Sequence, residues 1–184
     1  MLATSAAFAA TSTFRSTMSG PSEATPNPSP GTGLAMLILD DVALTLSVSV
    51  PFMDLSSNTA AGHIHCCTAV PLIDAAGVAI AFTGFPMGVT SGLYEQVFDL
   101  ADPATYGADF LSANGGSADS ARAVLLAGMN NFQSYVNIHT TAYPAGEIRG
   151  FNVLMPVPEP SSWLMLGVGL AGIGFCARRR RQAS

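Results

Sequence analysis

Ser134 to Gly150 reads Ser-Tyr-Val-Asn-Ile-His-Thr-Thr-Ala-Tyr-Pro-Ala-Gly-Glu-Ile-Arg-Gly, a pattern that predicts strand, tight turn, strand. Val136, Ile138 and Thr140 alternate with Tyr135, Asn137 and His139, so one face is aliphatic and the other polar. Tyr143-Pro144-Ala145-Gly146 supplies the turn, because proline presets one backbone angle and glycine tolerates the reversed one. Beyond it, Glu147 and Arg149 flank Ile148. Pairing about this turn predicts that His139, Glu147 and Arg149 share a face. Upstream, Gly62-His63-Ile64-His65 repeats the design, with two histidines on one side of a strand and an isoleucine on the other. His63, His65 and His139 are the three histidines of the chain.

The other segments carry the same period. Leu34 to Leu39 is a short apolar strand, and Asp40-Asp41 a turn. Val42, Leu44, Leu46, Val48 and Val50 alternate with Ala43, Thr45, Ser47 and Ser49, a strand with one buried face that Pro51 should end. Ala60 to Cys67, Gly77 to Phe82 and Leu93 to Leu100 are further strands, the last with mixed faces that suit a sheet edge. Asp109 to Ala113 suggests a helical turn. Ser117 is an N-cap for a helix from Ala118 to Met129, with Asp119 in its first turn, where acid favours the helix dipole. Seven or so short strands with one short helix and Gly/Pro turns predict an all-β, antiparallel, Greek-key-like sandwich or barrel. A parallel α/β fold would need a helix between most strands. Ser19 to Gly33, dense in Pro, Ser, Thr and Gly, reads as an extended edge segment or linker.

Charge excludes one class of partner. Charged residues make up 10% of the chain, against about 25% for an average soluble domain, and lysine is absent. Before residue 161, three arginines face twelve acids, a net of nine negative charges. Such a body repels nucleic acid, whose binding needs clustered cations. Three cysteines make no disulfide framework. Alternation along a strand predicts one buried and one outward thiol at Cys66 and Cys67, with a vicinal or intermolecular disulfide as the alternative.

The chain ends form addresses. Ala7-Phe8-Ala9 has the small-x-small form of a signal-peptidase site, so residues 1–16 read as the remnant of a secretion signal. The folded body is then residues 17–154. Residues 155–160 contain Val157-Pro158-Glu159-Pro160, a rigid extended linker. Ser161 to Ala177 is seventeen residues without a charge. As a helix it would measure about 25 Å, at the short end of a membrane span. Trp163 stands at its start, and Arg178, Arg179, Arg180 and Arg181 open the basic tail 178–184. Clustered arginines stay in the cytoplasm, which places the body across the membrane. Gly167-Val168-Gly169-Leu170-Ala171-Gly172 matches a dinucleotide-binding pattern by letter only, since it follows no strand.

Pro158-Glu159-Pro160, the apolar span and the arginine cluster, in that order, resemble the PEP-CTERM sorting signal of Gram-negative bacteria. The resemblance implies export by the secretion machinery and processing by an exosortase, a membrane transpeptidase acting near Pro-Glu-Pro. It also implies a destination at the cell surface or outside, often linked to exopolysaccharide and biofilm. The body resembles a second family. Met18-Ser19-Gly20, Gly31-Thr32-Gly33, Gly62-His63-Ile64-His65, Tyr135-Val136-Asn137-Ile138-His139-Thr140 and Gly146-Glu147-Ile148-Arg149-Gly150 are similar to the CHRD domain, named from animal chordin. That resemblance implies a fold rather than an activity.

Two readings of the histidines follow. Polar rows on a sheet commonly serve pairing, so hydrogen bonds from the three rings to Asn137, Glu147 or loop backbone would fix the strands. Alternatively, His63 and His65, about 6.5 to 7 Å apart on one side of a strand, join His139 in a three-nitrogen copper or zinc site. Catalysis has little support: no Gly-x-Ser-x-Gly elbow occurs, and the acids are scattered. The expectation is an exported, non-enzymatic surface or matrix protein; the competing expectation is a secreted metalloprotein.

Overall fold

The computed structural model describes residues 11–156. Nine strands form one antiparallel sheet: β1 (Thr11–Ser19), β2 (Thr32–Asp40), β3 (Thr45–Met53), β4 (Thr59–Cys66), β5 (Val78–Ala81), β6 (Gly92–Asp99), β7 (Ser134–Thr140), β8 (Ile148–Phe151) and β9 (Val153–Leu154). Their spatial order is β5-β4-β7-β8-β1-β2-β3-β6, with β9 also on β1. The sheet curls into a half-barrel. The all-β antiparallel expectation therefore holds, as one curled sheet, with two helices among the described residues: α1 (Ala108–Ala113) and α2 (Ala118–Asn130).

The core lies inside the curl. β3 turns Leu46, Val48, Val50 and Phe52 inward, β2 adds Leu37 and Leu39, and β4, β7 and β8 add Ile64, Val136, Ile138 and Ile148. Those residues alternate in sequence with exposed or polar ones, so burying one row fixes the register. α2 presents Ala121, Leu125, Gly128 and Met129 to the core. Ser117 caps it as predicted, its side chain accepting from Ser120 N. β6 lies at one end of the sheet, as its mixed faces suggested, with Tyr94 and Phe98 inward and Leu93 and Val97 exposed.

Four local expectations are corrected. The third strand starts at Thr45, not Val42, because Leu44 adopts a positive φ of 55° in the turn and Val42 is exposed. Pro51 does not end that strand. The β2–β3 register is the same on either side, Met36↔Ser49 and Gly33↔Phe52, so the proline, with no N–H to give, leaves a gap in the ladder without breaking the strand. The body does not begin at residue 17, since β1 pairs with β2 from Thr11↔Asp40 onward and Phe14 is fully buried. Ser19 to Gly33 is no linker: after β1 it makes a 3-10 turn (Gly20–Ser22), then crosses β7 and β8 with Glu23 and Ser29 buried.

The secretion-signal remnant falls mainly on residues 1–10, which lie outside the described residues. So do Pro158, Glu159, Pro160, the expected span 161–177 and Arg178 to Arg181. Among the described residues, no helix is long and apolar enough to cross a membrane.

Candidate functional site

The outer face of β4, β7 and β8 gathers the polar residues that the sequence pattern singled out. β4 pairs with β7 so that His63 lies opposite Asn137, His65 opposite Tyr135 and Ala61 opposite His139. β8 adds Arg149 opposite Asn137 and Phe151 opposite Tyr135. Strand alternation sends all of these to the side away from Ile64, Val136 and Ile138. This face is roofed by chain. The crossing after β1 brings Glu23, whose carboxylate accepts from Asn137 Nδ2 at 2.9 and 3.1 Å. The segment between β4 and β5 brings carbonyls of Asp74 and Ala76.

His63, His65 and His139 converge as the metal reading requires. One nitrogen from each ring lies within 4.8 Å of the others. His65 Nδ1 is 2.9 Å from Ala76 O, and His139 Nδ1 is 2.9 Å from Pro144 O. A carbonyl can only accept, so each ring carries its proton on Nδ1 and leaves Nε2 with a free lone pair. His65 Nε2, His139 Nε2 and His63 Nδ1 are buried and have no hydrogen-bond partner. The ring centroids are 4.9, 5.4 and 5.7 Å apart. With metal–nitrogen bonds of about 2.1 Å, two rings on one ion would have centroids about 5.2 Å apart at the tetrahedral angle and about 5.5 Å at the trigonal one. The observed spacings straddle these values.

Electrostatics keep the rings neutral. Burial, then the mutual repulsion of the rings, pushes His63 down to about 4. Burial, opposed by the Ala76 carbonyl and helped by His139 and Arg149, pushes His65 down to about 4. His139 is lowered by burial, with the Pro144 carbonyl opposing. Neutral imidazole is the form that binds metal.

The pairing reading is also met in part, through loop backbone rather than through Asn137 or Glu147. Asn137 is engaged by Glu23. Glu147, expected on the histidine face, precedes the first residue of β8 and turns elsewhere. Its carboxylate accepts from Ser29 Oγ (2.5 Å), Ser56 N and Oγ (both 2.6 Å) and Thr140 Oγ1 (2.5 Å). Burial pushes that carboxyl up, but the hydroxyls of Ser29, Ser56 and Thr140 and the Ser56 amide outweigh it and hold it below the ordinary range.

The Arg149 guanidinium carbon sits 4.9 Å from the Tyr135 ring centroid and 5.2 Å from that of Phe151. Arg149 donates through Nε to Ser22 O (2.5 Å) and through Nη1 to Asp74 O (2.6 Å). Glu23 is 4.0 Å away. Burial raises the Glu23 carboxyl to about 7, opposed first by Arg149 and then by Asn137.

Cys66 and Cys67 are joined in a disulfide, which corrects the expectation of two separate thiols. The alternation argument assumed both residues were in the strand. Pairing of β4 ends at Cys66↔Ser134, so Cys67 is already outside it.

Glu23 and Tyr135 were not singled out as site residues from the sequence. Glu23 is a lone acid in a Ser/Pro stretch, and only the fold carries it back over β7. Tyr135 could have been found, as the aromatic neighbour of His139 on the same strand face; its ring stacks on His65 at 4.8 Å.

An antiparallel half-barrel with a roofed histidine face is thus the class of domain this body defines. A family model described as the CHRD domain matches residues 14–151. The chain belongs to the CHRD domain family. A second model, described as the PEP-CTERM protein-sorting motif, matches residues 156–181. That motif is the mark of an exported protein processed by an exosortase-type membrane enzyme. No curated protein and no solved structure matches the chain.

Proposed function

We propose that this protein is exported, cut near Pro158-Glu159-Pro160 by an exosortase, and acts without catalysis at the cell surface or in an extracellular polysaccharide matrix. The observation that carries this is the order of the two motifs: a sorting signal over 156–181 directly follows a domain over 14–151. The acidic, lysine-free body fits that destination. A binding role fits the covered face as well. Its charged groups are taken up in holding the roof, Glu23 by Asn137 and Arg149 by two carbonyls. In this reading residues 161–177 span the membrane before processing, with Arg178 to Arg181 inside.

Intact mass of the mature protein from a host with an exosortase tests it. The expected chain ends near Pro160 and is recovered with cells or polysaccharide. An uncut chain in such a host would overturn the sorting step.

A second reading is favoured by one observation, the three unpartnered imidazole nitrogens that meet within 4.8 Å. In it, the domain is a secreted metalloprotein holding one copper or zinc ion on His63, His65 and His139.

A further inference from the structure

Resting on the metal reading, we infer that an ion on His63, His65 and His139 keeps one coordination position open and takes a small anion there. The donor inventory leads to this. A structural zinc site is closed by four protein ligands, whereas three protein ligands leave a position for water or another group. Among the described residues, the three histidines are the whole of the cluster. A thiolate cannot complete it, because the neighbouring Cys66 is bonded to Cys67. Neither nearby acid is free to do so. Glu147 is turned to Ser29, Ser56 and Thr140, and Glu23 is held by Asn137 beside Arg149.

Three neutral imidazoles leave the double charge of the ion uncompensated. The rings sit in a partly desolvated place, where an unbalanced charge is costlier than in water. An anion in the fourth position removes part of that cost, and a neutral water does not. Access is from one side. His65 is buried beneath Tyr135 and the Ala76 carbonyl, while His63 and His139 are only half-buried. An anion would therefore reach the ion past His63 and His139, the more exposed of the three rings.

The test uses the full chain, purified without a histidine tag, loaded with Cu(II) and desalted. Imidazole sites of this kind favour Cu(II) over the other divalent first-row ions. The probe is azide, an anion whose binding to copper produces a charge-transfer band of its own. The expected result is one copper per chain and an azide band that saturates at one azide per copper. Stoichiometric copper with no azide band overturns the open position and leaves the three-histidine site standing. Failure to retain copper overturns both. His139→Gln and His63→Gln should each release the metal; copper kept by both variants would place it elsewhere and overturn the inference. The azide titration on the unmodified chain needs no variant to fold.

Discussion

Gly128 on α2 lies against Cys67, so close that a methyl on its Cα would collide with both sulfurs of the Cys66–Cys67 disulfide. The glycine is thus what lets the helix seat on the end of β4, next to His65. In an ordinary helix interior, replacing glycine by alanine gains about 1 kcal/mol. Here overpacking should cost about 1–3 kcal/mol and reverse the sign. Gly128→Ala is expected to lower the thermal midpoint of the oxidised protein. A rise would show that the helix and the disulfide do not touch as described.

The disulfide itself is checked by thiol counting. Alkylation in denaturant, without reductant, should modify Cys176 alone, giving one adduct for the full chain. After reduction there should be three, since the chain has three cysteines. Three adducts before reduction would restore the two-thiol expectation.

Glu147 anchors the crossing segment through Ser29 and the loop after β3 through Ser56. Its carboxylate is inaccessible and accepts every bond it makes. Glu147→Gln keeps the shape but turns an amide N–H₂ toward donors. Ser56 N and the two serine hydroxyls share Oε1, so the amide oxygen stays there and the N–H₂ faces Thr140 Oγ1, which already accepts from Tyr143 N and can no longer donate to it. The expected loss is about 1.5–3 kcal/mol, the range for hydrogen bonds to a charged group, read as a lower denaturant midpoint at an unchanged slope. A shift within error would mean that the serines and Thr140 do not depend on the charge.

Acid should destabilise the metal-free domain. The His63 and His65 rings titrate near 4 when folded and near 6.5 when unfolded. Between those values the unfolded chain binds more protons, so stability falls as pH drops through that window. Glu23 acts in the opposite sense: folded, it keeps its proton up to about 7, against 4.5 unfolded, and its contribution fades as pH rises through that interval. Two rings outnumber one carboxyl, and His139 is shifted in the same direction as the other rings. Denaturant midpoints in the presence of chelator should therefore fall from pH 6.5 to pH 4. A midpoint that climbs on acidification would mean that the rings are charged in the native state.

The histidine rows show how far reading the sequence goes. Period-two alternation in Gly62-His63-Ile64-His65 and in Tyr135 to Thr140 was enough to put His63, His65 and His139 on one side of their strands. It was not enough to place Glu147, because a residue just before a strand escapes the alternation. Pro51 misled for a related reason. A proline reads as a strand end, yet here the ladder resumes in the same register beyond it and carries the strand through.

Local chemistry written along the chain determined the strands, the capped helix, the acidic surface and the sorting signal at the end. Each depends on residues within a few positions of one another, where spacing alone fixes direction and charge. Tertiary structure alone decided that Glu23, from a stretch resembling a linker, would meet Asn137 on β7, that Cys67 would leave its strand and bond to Cys66, and that three imidazole nitrogens would face one another without partners. Those relationships come from strand order and loop crossing. They bring together residues more than seventy positions apart or depend on where pairing stops, and a periodic pattern records neither.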